Sequence, residues 1–327
     1  MNPSPEDALR APEDAAAMRR AVDSGGRRYQ DLRPALEPRF GVVYRDLALG
    51  WLVLVGVVAG LVVARAFSPA LAGLLVPIGA LAVGLALHHL FLFLHEASHY
   101  NLARDRARND RLANALLAPL LGQSVGQYRR IHFDHHRFLG TTRDPERSYF
   151  EPLSAGFVLR SLLGVRLVQA GLQRFRHGTA GPGQAAPELG FVAAAAVLHG
   201  GLVLISLATG QWPLAIAWAA GVGVVLPFLS SVRQTLEHRS AEARSDVDYA
   251  AVDHGETNRL FGEGLLPALV GGAGFNRHLL HHWDPQLSYT RLADLEDFLR
   301  DTELAAKLAA QRTTYARTFS QLFGAAR

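Results

Sequence analysis

Four long apolar runs, each free of Asp, Glu, Lys and Arg, dominate the pattern along this 327-residue chain. Each run is long enough to cross the roughly 30 Å hydrocarbon layer of a membrane as a helix, at about 1.5 Å rise per residue. Backbone groups in lipid must bond internally, and uniformly apolar runs favour helices over the alternating strands of a barrel. The predicted spans are residues 47–64, 70–94, 189–207 and 212–232.

The connections between these runs predict how the spans are arranged. Residues 65–69 separate the first two runs and residues 208–211 the last two, which predicts two hairpins of helices. Residues 95–188 carry thirteen arginines against eight acidic residues, so the positive-inside rule places them in the cytoplasm with both termini. The predicted fold is an all-α integral membrane domain, residues 47–327, with a cytoplasmic helical cap formed by residues 95–188 and 233–327.

Four other segments carry weaker patterns. Residues 1–46 contain eight arginines and eight acidic residues and predict a charged, partly flexible arm. An apolar stripe with arginines over residues 153–176 predicts an interfacial helix on the cytoplasmic leaflet, or a soluble amphipathic helix packed on the cap. Residues 178–187 predict a loop, and residues 291–323 predict one or two helices that close the cap.

Histidines are concentrated beside the predicted spans in three clusters, here called the first, second and third boxes. The boxes are His95-Glu96-Ala97-Ser98-His99, His132-Phe133-Asp134-His135-His136 and His278-Leu279-Leu280-His281-His282. They hold eight of the fourteen histidines of the chain. Spacings of three and four residues project imidazoles from one face of a helix, where they can converge on a metal ion. A single pair of histidines at this spacing could be two unrelated residues on the face of a helix. Three boxes at membrane boundaries instead predict a metal site.

Composition narrows the metal chemistry. The chain has no cysteine, which excludes disulfides, thiolate zinc sites and iron–sulfur clusters within it. Imidazole suits iron, copper, zinc and nickel alike, so ligand type does not choose among them. Because zinc usually takes about four ligands, eight clustered histidines favour two metal ions with room for an external ligand. No GxGxxG or Walker motif indicates a nucleotide-binding domain.

The basic charge of the chain is almost entirely arginine. Lys307 is the only lysine, and the sequence pI is 9.7. Since no basic stripe is interleaved with aromatic residues, this charge favours contact with anionic lipid headgroups over nucleic-acid binding.

Two other functions are compatible with parts of the pattern. The first box also fits HExxH, in which two histidines hold zinc and Glu96 would be the general base of an intramembrane protease. That mechanism needs only one more ligand and leaves the second and third boxes without a role. A metal transporter or storage protein would be expected to place ligands within several spans, whereas these boxes lie at helix ends on one side.

The order HxxxH, HxxHH, a second pair of spans and a further HxxHH resembles the integral-membrane fatty acid desaturase and hydroxylase superfamily. The resemblance covers residues 70–299. Smaller features agree, among them Asp144-Pro145-Glu146 after the second box, Asn276 before the third box and Trp283-Asp284-Pro285 after it.

This resemblance implies a non-haem di-iron centre that activates dioxygen against an unactivated C–H bond of a lipid-like substrate. A further family histidine between the last span and the third box matches His238. The implied metal ligands are His95, His99, His132, His135, His136, His238, His278, His281 and His282. Metal-bound histidines usually donate their second N–H to a carboxylate or carbonyl. Five residues are placed for such support, or to orient a metal-bound water: Glu96, Asp134, Glu237, Asn276 and Asp284. Alternatively, the four carboxylates among them are solvated groups on the surface.

The remaining histidines have weaker claims to a function. His88, His89 and His199 lie within predicted spans, where they either line a substrate channel or pack with a hydrogen bond to a neighbouring helix. His177 and His254 lie in polar stretches and are expected to be solvated, although the context of His254 also allows a supporting role near the metals.

The resemblance favours a desaturase that introduces a double bond into a fatty acyl or other lipid-like chain. The alternative is a di-iron hydroxylase or ketolase of an alkyl or carotenoid substrate. The chain contains no His-Pro-Gly-Gly haem motif, so an external ferredoxin or similar donor, with its reductase, is implied. The arginine-rich, cysteine-free composition suggests a bacterial inner membrane.

Overall fold

The computed structural model describes residues 13–166, 168–169, 172, 188–240 and 257–325. Within these residues the regular structure is helical and no β-strand is formed. The helices are α1 Glu13–Arg20, α2 Tyr29–Leu32, α3 Phe40–Phe67, α4 Pro69–Ser98, α5 Arg106–Leu116, α6 Ala118–Leu121, α7 Val125–Phe138, α8 Ala155–Leu162, α9 Leu189–Ala208, α10 Trp212–His238, α11 Leu265–Val270, α12 His278–Trp283, α13 Leu292–Leu299, α14 Ala305–Ala310 and α15 Tyr315–Ala325. Short 3-10 turns occupy Arg33–Ala35, Arg147–Phe150, Phe275–Arg277 and Tyr289–Arg291.

Four of these helices, α3, α4, α9 and α10, are long and apolar enough to cross a membrane, which confirms the predicted all-α fold with four spans. Three of them continue beyond the apolar runs that predicted them. Helix α3 begins at Phe40, α4 runs on to Ser98, and α10 runs on to His238. The extensions of α4 and α10 carry metal-site residues, so the spans themselves position part of the site.

The level at which α4 leaves the apolar zone is marked by a contact with α3. The ring nitrogen Nε2 of His89 lies 2.9 Å from the backbone oxygen of Asp46, beside the charged pair Arg45 and Asp46. From His89 to Ser98, α4 continues for nine residues, which is about 14 Å of helix. The first box therefore lies beyond the level at which charged residues begin.

Glycines allow α4 and α10 to pack closely. A Cβ atom on Gly84 would lie 2.3 Å from the side chain of Val225, and one on Gly221 would lie 2.6 Å from Val83. Small residues at helix crossings are a common device of membrane helices, since packing rather than hydrophobicity holds them together in lipid. The contact falls on the π-helical turn Gly221–Val225 within α10.

The described part of the predicted N-terminal arm packs against the end of the chain. Ala15, Met18, Tyr29 and other apolar residues of this segment form one buried cluster with residues of α12 and α13. The Tyr29 hydroxyl and the Arg33 guanidinium both bond to Asp284, directly after the third box. The first twelve residues lie outside the described part, and the domain boundary at residue 46 stays a prediction.

The segment predicted as an interfacial helix begins with α8. Leu159 and Leu163 are exposed, as expected for an apolar stripe that faces lipid. Gly164, at φ +68°, turns the chain against Gly223 of α10, where a Cβ atom would lie 2.8 Å from a backbone oxygen. Most of the rest of this segment, and the whole predicted loop at 178–187, lie outside the described residues.

Candidate metal centre

Four helix ends bring the predicted ligands together. The first box closes α4, the second box lies on α7, His238 ends α10, and the third box forms α12. Helix α7 begins at a conventional cap, because the Ser124 hydroxyl accepts a hydrogen bond from the backbone N–H of Gln127. Its histidines then follow at helical spacing and face α4, as the periodicity predicts.

The nine predicted histidines form two adjacent groups. The five-histidine group consists of His95, His99, His132, His136 and His281. The four-histidine group combines two overlapping sets that share His238, namely His135, His238 and His282, and Glu237, His238 and His278. The two groups touch, since the rings of His136 and His282 have centroids 4.4 Å apart.

Each of the second and third boxes is divided between the groups. His132 and His136 join the five-histidine group, whereas His135 points to the other. In the third box His281 joins the first group, while His278 and His282 join the second. Phe275 lies between the two groups. Its ring centroid is 4.4 Å from that of His95, in the five-histidine group, and 5.0 Å from that of His278, in the four-histidine group.

The ring nitrogens in the five-histidine group face one another at close range. His281 Nε2 lies 3.0 Å from Nε2 of both His95 and His136, and His136 Nε2 lies 2.9 Å from that of His132. An imidazole nitrogen offers either one proton or one lone pair. His281 and His136 each meet two nitrogens, so hydrogen bonds alone do not satisfy the cluster. A shared cation would satisfy all four lone pairs at once.

In the four-histidine group, ring nitrogens also face one another at close range. His278 Nε2 lies 3.0 Å from Nε2 of His238 and 3.1 Å from Nε2 of His282. The nearest carboxylate is that of Glu237, with an oxygen 3.8 Å from His278 Nε2. Arg233 holds that carboxylate through two hydrogen bonds of 2.8 and 2.7 Å.

Burial keeps most of these imidazoles neutral. His99 and His281 are 2 % and 3 % exposed, and burial, reinforced by neighbouring histidines, lowers the pKa of each well below its usual value. The pKa values of His136, His278 and His282 are lowered for the same reasons. Neutral imidazoles are the form that binds a metal ion.

His135 differs from the other histidines because a carboxylate backs its ring. Its Nδ1 donates to Asp144, at 3.0 and 2.9 Å from the two oxygens, and Asp144 also accepts from the Tyr149 hydroxyl at 2.6 Å. Burial alone would lower the pKa of His135, but Asp144 and Glu146 outweigh it and raise the pKa to about 9. Glu146 also lies 3.3 Å from Nδ1 of His132.

The five residues predicted to support the ligands lie at different distances from the histidine rings. Glu96 is buried, 3.6 Å from Nδ1 of His95, and bonds to Asn101 and to the backbone N–H of Tyr289. Glu237 lies beside His278, as described above.

The other three are placed differently. Asn276 donates to the backbone oxygen of Gly262, Asp284 bonds to Tyr29 and Arg33, and Asp134 is half-buried on α7.

Sequence reasoning did not assign the two carboxylates that contact histidine rings most directly, Asp144 and Glu146. In the sequence they belong to the Asp144-Pro145-Glu146 run that follows the second box. Tyr149 and Arg233, which hold Asp144 and Glu237, were also missed. The Asp144-Pro145-Glu146 run is itself the signal that could have identified the two carboxylates.

The three histidines within the membrane-spanning helices, His88, His89 and His199, bond to backbone oxygens. Nε2 of His88 donates to Val270 and that of His199 to Leu120, each at 2.9 Å, and His89 bonds to Asp46. These contacts support the packing interpretation over a channel lining. His177 and His254 lie outside the described residues.

Comparison with known proteins gives one family. A family model described as fatty acid desaturase matches residues 72–315, which is 244 of the 327 residues and includes all three boxes and His238. No curated protein sequence matches the chain significantly.

Proposed function

Because this chain belongs to the fatty acid desaturase family, we propose that each histidine group holds one iron ion and that the protein desaturates a lipid acyl chain with dioxygen. Family membership makes it an oxidoreductase of the desaturase and hydroxylase type, and the four apolar helices make it a membrane protein. The observation that carries the proposal is the pair of adjacent histidine groups at the ends of those helices.

The residues present fit iron. The nearest Nε2 pairs in both groups are 2.9 to 3.1 Å apart. Ligand nitrogens about 2.1 Å from one metal ion come this close to each other, so each group can hold one ion. All-nitrogen donor sets without cysteine suit non-haem iron with positions left open.

Bound iron would supply the oxidising power of dioxygen for removal of hydrogen from an unactivated C–H bond. The chain's own residues hold and orient the rings. Asp144 fixes His135 with Nδ1 as the donor, so that its Nε2 faces His238 and His282. Arg233 keeps the Glu237 carboxylate beside His278. Phe275 contributes an apolar wall between the groups and limits the access of water.

Family membership and the membrane-spanning helices support a lipid substrate. More specifically, we propose that the substrate is an acyl chain and that the reaction introduces a double bond into it. The alternative is hydroxylation or ketolation of an alkyl or carotenoid substrate. Desaturation and hydroxylation both begin with removal of a hydrogen from the substrate. The outcome then depends on where the substrate carbon lies relative to the metal, on a scale of about 1 Å or less. We propose that the site lies on the cytoplasmic side because of the arginine excess in residues 95–188. The arginine-rich, cysteine-free composition suggests that the membrane is a bacterial inner membrane. An external ferredoxin with its reductase supplies electrons in this proposal.

The surroundings of Glu96 argue against the protease alternative. A general base of a zinc protease must face a metal-bound water. Here one carboxylate oxygen accepts hydrogen bonds from Asn101 and Tyr289, and three histidines from the other boxes complete the group around His95 and His99.

The proposal is tested by metal content and by product analysis. We expect about two irons per chain by elemental mass spectrometry, with Mössbauer signals of nitrogen-rich iron, in detergent-purified protein. Cells that express the protein should accumulate lipid products lacking two hydrogens, whereas products that gain one oxygen would favour the hydroxylase. His135→Ala and His281→Ala should abolish turnover and lower bound iron, with His177→Ala, outside the boxes, as the control. One zinc and no iron would contradict the proposal, unless purification had exchanged the metal.

A further inference from the structure

The third box lies on a short helix with two unlike sides. The histidines of α12 reach the metal groups, while the residues on its other side are buried and apolar: Leu279, Leu280 and Trp283. These three residues belong to the buried cluster that α12 and α13 share with the N-terminal arm. A helix of six residues has too few internal hydrogen bonds to be stable by itself. The direction of its histidines therefore depends on what packs behind it.

The N-terminal arm supplies much of that support. Six of its residues lie in the buried cluster: Ala15, Met18, Ala21, Tyr29, Leu32 and Leu36. Polar contacts fasten the arm to α13 and to the residues after it, since Arg39 donates to Asp294 at 2.9 Å and the Ser24 hydroxyl donates to Asp301 at 2.6 Å. The family match begins only at residue 72. A part of the chain outside that match therefore supports the third box.

Two polar side chains of the arm reach the end of the box itself. The Tyr29 hydroxyl and the Arg33 guanidinium both donate to the same carboxylate oxygen of Asp284, two residues after the box. The Asp284 side chain is only 13 % exposed, so these donors take the place of water at that oxygen. The backbone N–H of Asp284 donates to the backbone oxygen of Leu280 at 3.0 Å and so continues the hydrogen bonding of α12. A shift of Asp284 would therefore shift the last turn of the helix, which carries two ligands.

The segment after α12 also reaches the first box. The backbone N–H of Tyr289 donates to Glu96 at 3.2 Å, and its hydroxyl donates to Asp46 at 2.9 Å. Asp284 and Tyr289 are only five residues apart, so one short segment contacts the arm, the third box and the first box. Because the third box supplies ligands to both metal groups, its orientation affects both.

We propose that Tyr29 and Arg33 are positioning residues of the metal centre, which act through Asp284 to hold the third box in its metal-binding orientation. This inference rests on the proposed function, because it requires iron in the two histidine groups. Iron binding and the docking of the arm are then linked. A box held in place binds iron more tightly, and bound iron must hold the arm more firmly in return. Each direction of this linkage can be measured separately.

The test variant is Tyr29→Phe/Arg33→Gln, which removes both contacts with Asp284 but keeps an aromatic ring in the buried cluster. Its matched control is Ser24→Ala/Arg39→Gln, which removes two polar contacts of the same arm that do not reach the box. Chelator competition on the full-length, detergent-purified protein measures iron affinity, and thermal unfolding measures the stability of the metal-free protein. Hydrogen–deuterium exchange, with and without iron, follows the backbone of residues 28–36.

We expect the test variant to bind iron about tenfold more weakly in both groups, whereas the control should bind iron like the wild type. Both variants should lower the melting temperature of the metal-free protein by similar amounts, because each loses two polar contacts of the arm. Iron should slow hydrogen exchange in the arm of the wild type and of the control, and this protection should shrink in the test variant.

A pair of single changes carries the same test if the double variant does not fold. Arg33→Lys keeps a cation beside Asp284 and should retain most of the iron affinity, whereas Arg33→Gln should lose part of it. Equal iron affinity in these two variants would contradict the role of Arg33.

Three other results would overturn the inference and leave the proposed function standing. One is equal iron affinity of the wild type and the test variant. Another is an equal loss of affinity in the control, which would assign the effect to the general stability of the arm. The third is hydrogen exchange in the wild-type arm that does not respond to iron, since linkage acts in both directions. Absence of iron from the wild type would remove the proposed function, and this inference with it.

Discussion

The two histidine groups differ in what stands behind their rings. The five-histidine group is backed by the buried Glu96, 3.6 Å from Nδ1 of His95, and by Glu146, 3.3 Å from Nδ1 of His132. The four-histidine group is backed more closely, with Asp144 2.9 Å from Nδ1 of His135 and the Arg233–Glu237 pair beside His278. Carboxylates that bond to a ligand ring fix its orientation and raise its basicity. The two proposed irons would therefore lie in unlike surroundings, although all nine protein ligands are imidazoles.

The strongest way to test this difference is to remove one ligand from each group. His281→Ala should lower bound iron to about one per chain by emptying the five-histidine group, and His282→Ala should do the same for the other group. Mössbauer spectra of the two variants should then show different single irons, and neither variant should turn over. His177→Ala serves as the control, since His177 lies in no box. Loss of both irons from either variant would mean that the groups bind metal as one unit.

The next largest effect is expected from Asp144→Asn. This change removes the charge behind His135 but keeps a side chain that can accept its hydrogen bond. We expect iron affinity of the four-histidine group, and activity, to fall by about 10- to 100-fold. Chelator competition measures the affinity, and Asp297→Asn, at an exposed carboxylate, is the control. A larger loss from the five-histidine group would reverse the assignment of Asp144.

Glu96→Gln should have a smaller effect on the five-histidine group. Glu96 is too far from His95 for a strong hydrogen bond, and glutamine can still accept from Asn101 and Tyr289. We expect activity to fall by less than about tenfold, with iron content unchanged, as measured by product formation in purified protein. A peptidase activity that vanished completely on this change, with normal metal content, would instead revive the protease interpretation.

The smallest expected signal is the release of protons when iron binds to the apoprotein at pH 7.5. His135, with its pKa raised to about 9, is protonated there and must lose its Nε2 proton to bind metal. The pKa values of His99, His132, His136 and His281 are lowered, so these rings are already neutral.

About one proton should therefore be released per pair of irons, and calorimetry in buffers of different ionisation enthalpy measures it. Asp144→Asn should lower the pKa of His135 and suppress this release. Release of several protons, or release unaffected by that variant, would contradict the assigned difference between the groups.

The sequence by itself determined the four spans, because hydrocarbon requires long uniform apolar helices and leaves few other solutions. It also determined the family resemblance, which the match over residues 72–315 confirmed, and the choice of nine histidines as candidate metal ligands.

Only the tertiary structure decided which histidines meet. That outcome depends on how α4, α7, α10 and α12 cross, and no periodicity within one helix contains the angle between two helices. The same reason separates Asp144 from Asp134 as the partner of His135. Asp134 was nearer in sequence, but the turn after α7 folds back and places Asp144 within 3 Å of the ring. The contact of Asp284 with Tyr29 likewise joins residues 255 positions apart, a pairing that no local pattern could reveal.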